Sequence, residues 1–368
     1  MSKLEWVACS ATTGIVITDL PGLSVDRIAD AMNGYETASG VLTLDDKTSA
    51  EWLNATRPGG AYLVLLEDDV PVWGGLIARR TRGKGDSVRL DMGTPATYLR
   101  RRFVGDVTYT SEDQCAIVEA LVVAYGEADG LPFDYDVSAS AITRDRTYLD
   151  LNDKSLFSVM SELAGVDGGP EWMVGWVATT VGTQTAYKPQ LVVADRLGTT
   201  PNAGLDPAVT WEFPGSITDF TLVEDYGDGS GANDVMAVST AVNDVRPESS
   251  HVLVTGDSRP KFELRFTPST SISSTETLDS HAASKAALVG QGSRSLAVSL
   301  VGDAARPGVD FRMGDVVGFE IGGLSHPMLA YPDGLGGTGR VVGWSRTLSG
   351  VQQVTPVLAD LVVTHGRW

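Results

Sequence analysis

Cysteine and histidine are scarce in this sequence, which limits the metal and redox chemistry it can support. Its 368 residues include 2 cysteines, Cys9 and Cys115, and 4 histidines. The cysteines lie far apart without the spacing of a metal-binding pair, so we predict two small buried thiols and no disulfide. The histidines form no pair at helical spacing, and no zinc site is predicted.

Long apolar runs are also absent. No stretch approaches the roughly 18 apolar residues that a membrane-spanning helix needs. Residues 1–6 carry charge but are not followed by an apolar segment with a small-residue cleavage site, so no signal peptide is predicted. We expect the protein to remain in the compartment where it is made until a larger particle carries it out.

Basic side chains are outnumbered by acidic ones. Lysine and arginine total 28 against 47 aspartates and glutamates, giving a net charge of −19. This balance argues against a protein that grips nucleic acid, because phosphate binding requires clustered cations. Residues 103–172 hold 14 acidic and 3 basic side chains, whereas residues 61–102 hold 5 acidic and 8 basic. The acidic segment is either a solvated face that aids solubility or an inner wall that repels DNA.

Residues 59–103 carry the clearest secondary-structure pattern. An apolar run at 61–66 ends in an acidic turn, a second run at 71–78 contains Gly74 and Gly75, and apolar residues alternate with polar ones at 87–92. Three short strands with tight links predict an antiparallel meander. The glycine pair indicates a bulge or a close backbone approach, both common in curved sheets. We interpret this segment as a barrel wall.

Helices are predicted at three places between the strands. Apolar spacing predicts a helix at 112–125, with Ser111 and Gln114 as a capping box. The same spacing predicts a helix at about 154–164, and a third is expected at 275–289.

The predicted fold class is mainly β, with a small α+β insertion and two barrel-like β domains. At about 150 residues per domain, the length suggests two or three domains. We place the first β domain at 1–105, the α+β insertion at 106–205 and the second β domain at 243–368. The segment 206–242 is predicted to return to the first β domain.

Motifs for catalysis or cofactor binding are not found. The run Gly334–Gly339 matches a dinucleotide-binding pattern, but a predicted strand follows it, so turn glycines are the better interpretation. Carboxylate pairs such as Asp68/Asp69 and Asp134/Asp136 have the residue types of a glycosidase, yet acid pairs are common in so acidic a chain. We predict no catalytic residue, no cofactor and no metal.

Ten residues are candidates for contacts with other proteins. Their cations either protect a charged hairpin from sheet aggregation or contact an acidic neighbour, to which arginine offers forked hydrogen bonds. Their tryptophans are either core residues or subunit-interface anchors. The candidates are Trp73, Arg79, Arg80, Arg82, Lys84, Arg100, Arg101, Arg102, Trp172 and Trp344.

Eight short motifs follow one another along nearly the whole chain. They are Thr18–Pro21, Val72–Gly75, Arg79–Arg80, Tyr98–Arg101, Glu112–Gln114, Gly168–Trp172, Phe311–Val317 and Arg340–Trp344. Their order resembles that of the tail-hub proteins, also named minor tail or baseplate hub proteins, of long-tailed bacteriophages (siphoviruses) that infect actinobacteria.

This resemblance implies a homotrimer in which the first and last β domains of three copies alternate in a ring of barrels that continues the tail tube. Such a hub adapts a sixfold tube to a threefold tip at the virion tail tip, after synthesis in the host cytoplasm. The implied partners are the distal tail ring, the tape-measure protein and other tail-tip proteins. DNA would pass through the lumen during ejection without specific binding, and no reaction would be catalysed.

Two other functions stay open. A tail-tip adhesin that binds a host cell-surface glycan would need exposed aromatic platforms in a groove. A cell-wall hydrolase would need a working carboxylate pair.

Overall fold

A computed structural model describes residues 3–46, 48–166, 168–199, 207–240, 245–254, 256, 258–268, 274–323, 328–331 and 333–365. Strands make up 49% of the structure and helices 16%, and the sheets are curled. The predicted fold class, mainly β with a small α+β insertion, is confirmed. No helix in the described part of the chain has the length and apolarity needed to cross a membrane.

The first sheet has seven antiparallel strands in the order β2-β1-β6-β7-β8-β5-β3. Apolar and polar residues alternate along its strands. In Thr37–Thr43 every second residue is buried, as expected for a strand with one face on a core. The elements are β1 (Leu4–Ser10), β2 (Val16–Asp19), β3 (Leu23–Val25), β4 (Arg27–Ala31), β5 (Thr37–Thr43), α1 (Trp52–Ala55), β6 (Ala61–Glu67), β7 (Val70–Arg82), β8 (Ser87–Gly93) and α2 (Pro95–Leu99).

Strands β6, β7 and β8 form the predicted antiparallel meander, which is confirmed. The pairing register of β7 shifts on both sides of the glycine pair. Against β6 the shift lies between Leu65 and Leu66, and against β8 it lies between Ile77 and Arg79. Gly74 also lies against the indole of Trp176, where a Cβ atom would come within 2.5 Å of the ring. The pair therefore combines a bulged strand with a close approach.

The second group of elements, from 107 to 194, mixes helices and strands. Helices α3 and α4 pack on a three-stranded sheet in the order β10-β13-β12, while β9 pairs with β11. The elements are β9 (Val107–Asp113), α3 (Gln114–Leu121), a π-helical turn (Val122–Glu127), β10 (Asp134–Val137), β11 (Thr143–Tyr148), α4 (Leu156–Ala164), β12 (Glu171–Val181) and β13 (Gln184–Ala194).

Helix α3 begins later than predicted and has a different cap. Asp113 is the N-cap, and its carboxylate accepts hydrogen bonds from the backbone N–H groups of Cys115 and Ala116 at 2.7 and 3.2 Å. Ser111, the predicted cap, lies in β9 with φ +50°. The capping-box interpretation is wrong because the strand continues to Asp113.

The remaining elements include a second large sheet in the order β14-β20-β21-β22-β19-β15. Strand β4 from the N-terminal segment also pairs with β21 in this sheet, from Arg27↔Thr347 to Ala31↔Gly343. The elements are β14 (Thr210–Phe213), β15 (Ile217–Asp225), β16 (Asp234–Ala237), β17 (Val252–Leu253), β18 (Glu263–Phe266), α5 (Thr275–Val289), β19 (Ser293–Val301), β20 (Val316–Ile321), β21 (Leu335–Thr347) and β22 (Gln353–His365).

Two predictions about these segments differ from the structure. Strands β14 and β15 lie in the second sheet, whereas 206–242 was predicted to return to the first β domain. Most glycines of the Gly334–Gly339 run lie inside β21 and not in a turn. Gly337 is needed there because a Cβ atom would meet the carbonyl oxygen of Val362 at 2.2 Å.

The chain forms two compact units, one of residues 1–219 with 298–368 and the other of residues 220–297. In the second unit, β16 lies between β17 and β18, and α5 packs on this small sheet. These boundaries fall at other positions than the predicted ones, and the division into three domains stays a prediction.

Candidate assembly surface

The three candidate tryptophans lie in the core of the chain. Trp73 of β7 is 1% exposed, and its indole N–H donates to the carbonyl oxygen of Ala29 at 2.8 Å. Its ring packs edge-to-face on Trp6, with 6.0 Å between centroids. Trp172 is fully buried and packs edge-to-face on Phe157.

Trp344 is also buried, in β21 between β4 and β22. Burial of all three rings in the isolated chain is what core residues would show. Their role in an interface stays a prediction, as does that of the cations.

Two of the seven candidate cations are used inside the chain. Arg80 donates to the carbonyl oxygen of Leu53 at 2.7 Å and to the Thr56 hydroxyl at 3.0 Å, and burial lowers the pKa of its guanidinium. Arg102 donates to the carbonyl oxygens of Tyr125 and Ala128, where the π-helical turn ends. Both arginines therefore serve oxygens of their own chain.

The other cations lie at the surface. Arg82, Lys84 and Arg101 are exposed, and their side chains make no hydrogen bond or ion pair among the described residues. Arg79 is exposed and pairs with Asp91 at 2.7 Å, and Arg89 pairs with the same carboxylate at 3.1 Å.

Arg79, Arg89 and Arg100 meet in one concave region of about 610 Å³, which we name the cationic groove. The guanidinium of Arg100 lies 4.5 Å from the ring centroid of Tyr35, in a cation–π contact. Asp91 also accepts a hydrogen bond from Ser39, and this bond and its two arginines lower the pKa of its carboxyl group. The groove is lined by Tyr35, Thr37, Ala38, Ser39, Ala78, Arg79, Arg89, Asp91, Met92, Gly93, Thr97 and Arg100.

Two arginine–glutamate pairs that the sequence analysis did not identify join distant segments. Arg346 of β21 and Glu67 of β6 are each 1% exposed and form a bidentate pair, at 2.6 and 2.9 Å. Arg340 of β21 pairs with Glu171 of β12 in the same forked geometry. The sequence did contain a signal that Arg346 is buried. Arg346 stands two residues after Trp344, and residues two apart in a strand lie on the same face.

A second groove of about 520 Å³ lies elsewhere in the first compact unit, and we name it the acidic groove. Asp30, Asp136 and Asp315 line it, together with Trp176 and Trp344. Burial raises the pKa of the Asp30 carboxyl group to about 7, and its hydrogen bond from the Ala31 N–H opposes that shift only in part.

The sites considered for metal, redox or hydrolytic chemistry have the following geometry. Cys9 and Cys115 are buried free thiols, and burial raises the pKa of each to about 12. Among the residues that the structure describes, no group of three or more His, Cys, Asp or Glu could hold a metal ion.

Asp68 and Asp69 are exposed in the β6–β7 turn, and Asp134 and Asp136 are exposed on β10. Neither pair includes the buried carboxyl group that a general acid needs.

Three solved structures of tail proteins are similar to this chain. A tail protein from Neisseria meningitidis MC58 is 12% identical with a TM-score of 0.57, covering 96% of this chain and 97% of that one. The 43 kDa tail protein of prophage MuSo2 from Shewanella oneidensis is 8% identical with a TM-score of 0.60, covering 96% and 98%. A prophage tail protein from Listeria monocytogenes EGD-e is 8% identical with a TM-score of 0.54, covering 99% and 95%.

These similarities show that the chain has a phage tail-protein fold, and at such low identity they show the fold alone. No protein-family model and no curated protein matches the sequence.

Proposed function

We propose that this chain is a structural protein of a siphovirus tail, located at the tail tip, where three copies form a hub. The observation that carries the proposal is the similarity in fold to tail proteins over nearly the whole length of both chains. The order of the short sequence motifs supports the more specific assignment to the tail-hub class. The work of such a protein is mechanical and involves no substrate turnover.

In this proposal the homotrimer adapts the sixfold tail tube to the threefold tip. It contacts the distal tail ring on one side, and the tape-measure protein and other tail-tip proteins on the other. Part of the acidic segment 103–172 would face the passage, because like charge keeps DNA moving instead of binding it. The internal pairs Arg346–Glu67 and Arg340–Glu171 support a rigid wall, since each ties together segments far apart in sequence.

The proposal is tested by the position and copy number of the chain in a tail particle. Cryo-electron microscopy of tails should find it on the central axis, below the tube, in a multiple of three copies. The native mass of the purified chain should correspond to a trimer, alone or after addition of the distal tail protein. An off-axis position, or a copy number not divisible by three, would exclude the hub.

A second candidate is the tail-tip adhesin, and one observation favours it. The acidic groove combines the half-buried ring of Trp176 with carboxylates, and an aromatic ring beside hydrogen-bonding groups is a common way to bind sugars. If this is the function, the purified chain should bind host cell-wall glycan, and Trp176→Ala should abolish binding in protein that circular dichroism shows to be folded. Absence of glycan binding by the wild-type chain and by tail particles would exclude it.

A further inference from the structure

An exposed apolar surface with acidic neighbours lies where the first sheet passes into the α+β region. Phe103 is 58% exposed, Leu149 40% and Leu151 77%. The segments that carry them are tied together, since the Val104 N–H donates to the carbonyl oxygen of Lys154 at 3.0 Å. We name this surface, residues 103–106 and 149–153, the acidic knob.

The knob, residues 103–106 and 149–153, contains three carboxylates and no cation. Asp106, Asp150 and Asp153 are exposed, and the carboxylate of Asp106 accepts the backbone N–H of Asp150 at 2.8 Å. The nearby Lys154 is already paired with Glu162 at 2.7 Å. An apolar centre with a polar rim is the usual composition of a protein–protein interface, and Phe103, Leu149 and Leu151 form such a centre.

The cationic groove has the complementary properties. Three arginines and one aspartate line it, so its charge is positive, and Ala38, Ala78 and Met92 supply apolar surface. Its volume of about 610 Å³ is sufficient for a few side chains of the size of leucine or phenylalanine. Groove and knob both belong to the first compact unit.

We propose that the cationic groove of one copy of this chain receives the acidic knob of a second copy. The occupant is a second copy because the surface that complements the groove in charge and apolarity is on the chain itself. Opposite charge guides the encounter, while burial of Leu151 and Phe103 supplies the hydrophobic contribution. Since groove and knob are different patches, this contact can repeat head-to-tail from copy to copy, which allows a closed ring. This inference rests on the proposed homotrimer and specifies which surfaces of two neighbouring copies are in contact.

Charge reversal tests the contact from both sides. The groove variant is Arg89→Glu with Arg100→Glu, and the knob variant is Asp150→Lys with Asp153→Lys. Sedimentation at equal protein concentration should show wild-type assembly and a loss of association of roughly tenfold or more for each variant. The matched controls, Arg27→Glu with Arg246→Glu and Asp19→Lys with Asp46→Lys, make the same charge changes at other exposed positions and should assemble like the wild type.

Mixing separates this contact from a general charge effect. A mixture of the groove and knob variants pairs an intact groove with an intact knob and a reversed groove with a reversed knob, so it should associate although neither variant does so alone. A chain with all four reversals restores opposite charges and should assemble again. Circular dichroism and thermal unfolding check that each variant is folded.

The proposal is overturned if folded groove and knob variants assemble like the wild type, or if their mixture stays monomeric. It is also overturned if the wild-type chain remains monomeric at its highest soluble concentration. Threefold rings that tolerate both reversals would reject this contact and leave the tail-hub function standing. Groove–knob pairing in particles that are not threefold would reject the hub and leave the contact standing.

Discussion

Single residues explain how segments far apart in sequence are held together, and Glu67 is the strongest example. Its carboxylate and the guanidinium of Arg346 are both removed from water. Glu67→Gln would leave that guanidinium buried without a counter-charge, a change that costs about 3–5 kcal/mol. We expect the free energy of unfolding to fall by about 3 kcal/mol, measured by urea unfolding at pH 7.

The control for this prediction is an exposed pair of similar geometry. Glu162 pairs with Lys154 at 2.7 Å, but its side chain is 51% exposed. Glu162→Gln should therefore change the free energy of unfolding by less than about 1 kcal/mol. Equal losses for the two variants would show that burial of the Glu67–Arg346 pair is not what stabilises the fold.

Asp30 makes stability depend on pH. Its pKa is raised to about 7 in the folded chain, so the folded state binds a proton more tightly than the unfolded one, whose carboxyl group has a pKa of about 3.9. The resulting stabilisation is complete below pH 4 and is lost as the pH rises to 7. Asp30→Asn should raise the free energy of unfolding at pH 8 by roughly 1–2 kcal/mol, since the side chain is only partly buried.

The measurement is urea unfolding of both proteins at pH 5 and pH 8. The gain from Asp30→Asn should be clearly larger at pH 8, because in the folded chain the Asp30 carboxyl group is ionised at pH 8 and protonated at pH 5. Asp19→Asn, at an exposed position, should give the same small change at both values. A gain that does not depend on pH would mean that Asp30 is not protonated in the fold near neutral pH.

Among the elements, β7 depends on having no side chain where it meets β12. A Cβ atom at Gly74 would lie 2.5 Å from the indole of Trp176 and 2.8 Å from the carbonyl oxygen of Leu63. The carbonyl belongs to the paired strand β6 and cannot move without loss of the sheet. Gly74→Ala should lower the free energy of unfolding by about 1–3 kcal/mol, the usual cost of an overpacked site, and reduce the thermal midpoint accordingly.

Gly85 is the matched control, because it lies in the β7–β8 turn with no atom within 4 Å of a Cβ and without positive φ. Gly85→Ala should leave the thermal midpoint within about a degree or raise it slightly, by restricting the unfolded chain. A similar fall for both variants would contradict the close approach at Gly74.

The elements also show how far the sequence could predict the fold. The β6–β8 meander follows from local periodicity and helix α5 from its alanine-rich composition, and both are observed where expected. Strand β4 could not be assigned to the second sheet, because its partner β21 lies more than 300 residues away and no local pattern encodes that pairing. The cap of α3 was misassigned for a related reason, since Ser111 and Asp113 both suit a cap and only the extent of β9 distinguishes them.

The candidate site could be predicted only in outline. The cations stood out in the sequence as a basic cluster, but it is the fold that assigns Arg80 and Arg102 to internal oxygens and brings Arg79 and Arg89 to one aspartate. Arg89 was not a candidate, because its neighbours in sequence carry no charge signal. A surface formed by several strands depends on their register, and register is settled by long-range pairing.

On the scale of the whole molecule, stability should be unevenly distributed between the two compact units. Among the described residues of 220–297, the buried clusters around α5 are small and rich in alanine, with Val252, Leu264 and Phe266 only partly buried against them: Ala232, Val235, Ala286 and Val289, and Ala237, Leu278 and Ala282. Helix α3 of the other unit instead buries Ile117, Val118 and Leu121 in a large core. Less apolar area is removed from water around α5 than around α3, so less free energy opposes local opening.

Native-state hydrogen exchange should therefore be faster in α5 than in α3, by on the order of 100-fold for the most protected amides. Helix length alone predicts the opposite order, because α5 has 15 residues and α3 has 8, and longer helices are intrinsically more stable. The experiment thus shows whether the packing of a helix against its core or its intrinsic helix propensity determines the rate of hydrogen exchange. Slower exchange in α5 would mean that its helix-forming sequence, and not the size of its core, determines how the unit opens. Leu278→Ala tests the same argument directly, since loss of this fully buried side chain should speed exchange throughout α5 and leave α3 unchanged.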